Sequence, residues 1–159
     1  MILGHKGKVI AIVLAALLMA WWLFYPSERD RLDAEAKRLC AIDGGVRVYE
    51  TVKLPPEKFD QYGRLSVPSN EDKVGFGYYR KYEYWLLQGP IDPSYGPNLT
   101  KHKVSILRSN DKKIMGEDIY FQRAGGCPLE GYVQGCGFQC PSSDDQDLEA
   151  FIFSKEQSK

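Results

Sequence analysis

Four cysteines, Cys40, Cys127, Cys136 and Cys140, are the residues of this 159-residue chain whose type and spacing point most directly to chemistry. All four follow an apolar N-terminal stretch that predicts export, and an even number of thiols in an oxidising compartment reads as disulfides. Three pairings are open to them. Cys40–Cys140 with Cys127–Cys136 is favoured, because the first bridge would tie the start of the domain to its end and the second would close a short Gly-rich loop. The competing reading is a zinc site, with Cys136 and Cys140 four apart and Cys127 as a third thiolate. Neither histidine is near them in sequence, and exported thiols seldom stay reduced. No metal is therefore assigned.

Groups that could do acid–base or nucleophilic work are scarce. His5 precedes the apolar stretch, which leaves His102 alone in the exported part, flanked by Lys101 and Lys103 at the expected end of a loop. A solvated surface histidine fits that setting better than a member of a Ser-His-Asp or Cys-His arrangement. The adjacent acids Glu117 and Asp118 would face opposite sides of a strand and so not converge. Asp144 and Asp145 lie in SSDDQD, which offers too few regularly spaced oxygens for calcium. Gly75-Phe76-Gly77 lacks the further glycine and the strand-to-helix context of a phosphate cradle. Asn98-Leu99-Thr100 matches an N-glycosylation acceptor, a three-residue pattern with a high chance rate. The sequence thus shows no catalytic residue and no cofactor motif, and a non-enzymatic protein is expected.

One stretch invites a binding hypothesis. Residues 76–87, FGYYRKYEYWLL, alternate as a strand, with Tyr78, Tyr82 and Tyr84 on one register and Tyr79, Trp85 and Leu87 on the other. Tyr78, Tyr82 and Tyr84 form a candidate binding surface for sugar rings or a protein partner. Ordinary core packing competes with that reading, since aromatic side chains dominate cores as well as interfaces.

The elements that must position these residues begin with residues 9–25, VIAIVLAALLMAWWLFY, free of charge, Gly and Pro. As a helix the run would be about 25 Å long, at the short end of what spans a bilayer. Trp21, Trp22 and Tyr25 gather at its C-terminal end, and Lys6 and Lys8 at the other predict a cytoplasmic N-terminus. Bulky residues where a signal peptidase would need small ones favour a retained anchor over a cleaved signal. Setting Lys6 and Lys8 aside leaves 19 basic and 21 acidic residues, a balance that gives no long-range pull on nucleic acid.

Ser27 is a good N-cap, and Leu32, Ala36, Leu39 and Cys40 make one apolar stripe that ends at Gly44-Gly45, so residues 27–43 should be an amphipathic helix. Residues 46–53 read as a strand. Residues 104–108 and 114–123 flank the turn SNDKK as a hairpin. The segment 127–141 should be a disulfide-stapled loop, and residues 148–153 a last strand or helix. The expected organisation is a stub and transmembrane signal anchor over 1–26, a periplasmic domain over 27–153 and a flexible tail over 154–159. The fold class is α+β, with one helix packed on an antiparallel sheet of about four strands.

Cys40-Ala-Ile-Asp43-Gly44-Gly45-Val46-Arg47-Val48-Tyr49-Glu50, followed late in the chain by Cys140-Pro141, resembles a group of small, uncharacterised bacterial envelope proteins. They carry an N-terminal anchor or lipoprotein signal, a C-x-x-D-G-G-x-x-V-Y-E segment and a late Cys-Pro. The hairpin residues Ile106 to Arg108, Ile114 to Glu117 and Tyr120 to Arg123 are similar as well. The resemblance implies an envelope location and supports Cys40–Cys140. It carries no activity, so it transfers no catalytic residue. Cys127 and Cys136 look like additions to that pattern, as a second bridge would be. Type IV pilins also join an apolar helix to a β-domain with a late disulfide, but the chain after Gly7 lacks the Glu that pilins place at the fifth position.

The expected function is that of an inner-membrane, single-pass protein held in the lipid bilayer by residues 9–25. Its periplasmic domain would be a binding module for another envelope protein. A carbohydrate-binding or hydrolytic envelope protein using the Tyr-rich strand is the alternative, and a pilin-like subunit is a second.

Overall fold

The computed structural model describes residues 5–69, 76–126, 137–142 and 147–156; of residues 5, 6 and 22–24 it describes the backbone. Helix α1, His5–Phe24, forms over the apolar stretch. Among the described residues, however, no helix is long and apolar enough to cross a membrane, which departs from the expected transmembrane anchor. Lys6 and Lys8 fall inside α1, so its apolar run begins only at Val9 and is shorter than the about 20 residues that a span commonly takes. Val9, Ile10, Ile12, Val13, Leu14 and Leu17 are all exposed. Ala11, Ala15, Ala16, Leu18 and Met19 are exposed as well, and because successive positions on a helix are about 100° apart, the exposed residues from Val9 to Met19 cover its whole circumference.

Pro26 and Ser27 separate α1 from α2, Glu28–Asp43. The Ser27 hydroxyl accepts from the Asp30 amide at 3.2 Å, and Asp30 Oδ2 accepts from the Ser27 amide at 3.2 Å. This capping box satisfies two backbone donors that the first turn cannot use internally. Leu32 and Ala36 are buried, with Leu39 and Cys40 beside them, as the apolar stripe requires. At the other end the Gly44 amide donates to Cys40 O.

The sheet is antiparallel and has five strands: β1 Gly45–Val48, β3 Tyr78–Gln88, β4 Asn98–Arg108, β5 Ile114–Ala124 and β6 Phe138–Cys140. The path runs β1-β5-β4-β3, and β6 joins β5 beyond the end of β1. β2, Val52–Leu54, leaves this sheet to pair in parallel with β7, Phe153–Lys155, which follows α3, Leu148–Ile152. The single strand expected over 46–53 splits because the amides of Tyr49 and Glu50 both donate to Met115 O, at 2.9 and 3.0 Å. Two residues then stand opposite one, and the chain turns off the edge of β5. The C-terminal segment is both helix and strand, and β7 carries the pairing to Lys155, two residues past the expected boundary.

Two apolar clusters lie on opposite sides of the sheet. On one face α2 presses Leu32 and Ala36 onto Leu99, Ile119 and Phe121. On the other, Ile106 meets Ile152, Phe153, Leu148 and Val67. Gly116 permits this second contact: a Cβ there would stand 2.8 Å from Ile152 Cδ1. Because β1 and β6 share one edge of β5, Gly45 lies opposite Ile119 and Cys140 opposite Phe121. The end of α2 is thereby brought to β6, where Cys40 and Cys140 form a disulfide with Cα atoms 5.9 Å apart. The expected Cys127–Cys136 bridge lies outside the described residues.

Candidate recognition face

The long hairpins β3–β4 and β4–β5 decide which side chains share a surface. The register pairs Tyr82 with Val104 and Tyr84 with His102. Across the next ladder His102 pairs with Tyr120 and Val104 with Asp118. Directly paired residues project to the same side, so Tyr82, Tyr84, His102, Asp118 and Tyr120 occupy one face. It is the face opposite α2, beyond the area that α3 and β7 cover.

His102 is the centre of a ring ladder. Its imidazole lies parallel to the Tyr120 ring, with 4.7 Å between centroids and 1° between planes, and is stacked with Tyr84 at 6.3 Å and 26°. The Thr100 hydroxyl donates to Gln122 O at 3.1 Å. Its single hydrogen being used, it accepts from His102 Nε2 at 2.9 Å, which fixes the Nε2–H tautomer. Burial pushes the imidazole pKa down, so the ring is neutral at pH 7 and stacks without charge. Thus His102 sits within an 11-residue strand, partly buried between two tyrosines, and not at the solvated end of a loop as expected.

Of the three tyrosines expected to form a surface, two do. Tyr84 is 75 % exposed and Tyr82 55 %. Tyr78 instead packs edge-on against Phe153, centroids 5.0 Å apart, at the margin of the core. Arg80 holds Tyr82 in place: its Nη1 donates to the Tyr82 hydroxyl at 2.6 Å, while its Nη2 is paired with Glu149 of α3.

Glu117 and Asp118 face opposite sides, as expected of neighbours in a strand. Glu117, on the α2 side, accepts from Lys103 Nζ at 2.5 Å and from the Tyr49 hydroxyl at 2.7 Å. Those partners hold its carboxyl below the usual range despite burial. Asp118 is 5 % exposed, and its Oδ1 is buried without a hydrogen-bond partner among the described residues. Burial pushes its pKa up to about 6. It also adds to the effect of burial on Tyr120, whose hydroxyl is pushed up as well.

The arrangement offers rings and one reluctant carboxylate. Among the described residues the hydrogen bonds of His102 run to Thr100, not to a carboxylate or a nucleophile. No group of three or more His, Cys, Asp or Glu comes together there as a metal would need. Tyr120 was not singled out as a site residue by sequence reasoning, and His102 and Asp118 were weighed and set aside. The signal that could have found them is the hairpin register: continuing β4 toward its N-terminus from the turn at 109–113 places His102 against Tyr120.

No family model, no curated protein and no solved structure matches this chain.

Proposed function

We propose that the protein is a non-enzymatic, membrane-attached interaction module of the cell envelope. It recognises a protein partner through the face carrying Tyr82, Tyr84, His102 and Tyr120. The observation that carries this reading is the ring ladder, whose outermost member, Tyr84, is three-quarters exposed. Tyrosine supplies large, stiff contact area with a polar tip at little conformational cost, which is why it is enriched in binding hot spots. A neutral imidazole fixed between two rings holds that area in one shape before any partner arrives, which lowers the ordering cost of binding.

Attachment through residues 9–25 is supported by α1 itself. A helix apolar on all sides belongs in a core or in lipid, and its side chains from Val9 to Leu18 are exposed, with none of the described residues covering them. A carbohydrate ligand is the second reading. It is favoured by the flat, exposed Tyr84 ring, since sugars stack on aromatic faces. Site-specific photocrosslinking in cells tests the main reading. A probe at position 84 should give a discrete protein adduct that the same probe at Tyr62, 72 % exposed in the turn closed by Asp60 and Gly63, does not. Equal, diffuse adducts from both positions would count against it.

A further inference from the structure

The loop joining β3 to β4 carries exposed apolar side chains that the recognition face does not use. Ile91 is 88 % and Tyr95 84 % exposed, and Leu86 and Leu87 behind them are each 40 % exposed. The loop is built to hold this shape. Asn98 Nδ2 donates to Pro90 O at 3.0 Å and the Asp92 carboxylate accepts from the Ser94 amide at 2.9 Å. Pro90, Pro93 and Pro97 restrict the backbone between. Asp92 is the one charged residue from 88 to 100.

Its position relative to α1 follows from the chain. Only four residue steps separate Phe24 from Glu28, so the end of α1 lies within about 14 Å of the start of α2, whatever angle α1 takes. The start of α2 is in turn held beside the loop. Gln88 lines the same hollow as Glu28, Arg31 and Leu32. Arg123 Nε donates to Asp33 Oδ1 at 2.5 Å, and Arg123 Nη1 to Gly125 O at 2.7 Å. Gly125 backs so closely on the loop that a Cβ there would stand 2.5 Å from Pro93 O and 2.8 Å from Gly96 O. The exposed tip and the exit of α1 therefore share one end of the domain.

We propose that Ile91 and Tyr95 enter the interfacial layer of the lipid bilayer beside α1, so that the domain is seated on the membrane by two contacts and oriented by them. This rests on the membrane attachment proposed above. Tyrosine suits the headgroup level, where one end of the ring is apolar and the other wet, and an isoleucine beyond it gains by leaving water. The first turn of α2, with Glu28, Arg29, Asp30 and Arg31 in balance, makes the contact apolar and independent of lipid charge. The β4–β5 turn, ten residue steps away along β4, would then stand roughly 30 Å above the surface.

The full chain reconstituted in neutral phosphatidylcholine vesicles tests this, with a benzophenone side chain placed in turn at positions 17, 91, 95 and 110. Lipid adducts at 17, 91 and 95, at least tenfold above those at 110, are expected. Adducts at 17 alone would overturn the seating and leave the attachment standing. Equal yields at 91 and 110 would also overturn it. Absence of adducts at 17 would overturn the attachment itself, and the seating with it.

Discussion

Asp118 is the residue that folding leaves least comfortable. A carboxylate with one buried, unpartnered oxygen ionises reluctantly, and its pKa of about 6 lies above the ordinary value of 3.8. The unfolded chain therefore releases this proton first as pH rises. Below about pH 4 both states hold it and nothing is lost; between pH 4 and 6 the folded state loses ground; above pH 6 the full loss remains. A shift of about two units is worth on the order of 2–3 kcal/mol. Asp43, Glu50 and Glu117, whose carboxyls are lowered by Lys and Arg partners, act in the opposite sense, so the contribution must be isolated by comparison. Asp118→Asn should gain on the wild type by up to that amount between pH 4 and 7 in chemical denaturation, with a constant difference marking the account of Asp118 as wrong. The sequence did show that Glu117 and Asp118 would part, because strand geometry alone decides it. It hid which of the two would be paired, since Lys103 and Tyr49 reach Glu117 only through pairings remote in sequence.

At the scale of elements, α2 is held by more than its apolar stripe. Arg123, 1 % exposed, meets Asp33 of α2, 19 % exposed at the side chain. Without Asp33, Arg123 keeps its bond to Gly125 O but loses a carboxylate that balances its buried charge, at a cost of about 3 kcal/mol. Asp33→Ala should lower stability by that order in urea titration, and a change under about 0.5 kcal/mol would show the pair to be incidental. The helix was legible because its cap, stripe and terminal glycines agree with one another. The strongest strand and the hairpin were legible from alternation and turn residues. The first six residues of β4, Asn98 to Lys103, were not: all but Leu99 are polar, and they are a strand because β3 and β5 flank them on both sides. Misreading that segment as a loop is what hid His102 and its ring ladder. The break after Val48 was equally hidden, since the carbonyl of Met115 that causes it lies far along the chain.

At the scale of the whole molecule, a covalent link between Cys40 and Cys140 closes the domain. Cys40 and Cys140 are 100 residues apart in sequence, so their bridge removes much of the freedom of the unfolded chain, about 5 kcal/mol by loop-closure arithmetic. Replacing both by serine should lower the unfolding free energy by that order, whereas an unchanged denaturation midpoint would mean that the sheet alone holds the domain closed. The bridge was expected because it would tie the start of the domain to its end, and the resemblance to small envelope proteins with a late Cys-Pro supported it. The five-stranded sheet that brings Cys140 to it was foreseen only in outline. If the domain sits on a membrane by α1 and its β3–β4 loop, the ring ladder lies on the sheet's flank, turned along the surface toward neighbouring envelope components. The most direct test is proximity labelling in cells from the domain that follows α1, comparing the wild type with Tyr82→Ala combined with Tyr84→Ala. Both side chains are largely exposed, so the melting temperature should hold within about 2 °C. The labelled set should fall at least tenfold, to the level of a scrambled-anchor control. An unchanged labelled set from a folded variant would contradict recognition through the aromatic face.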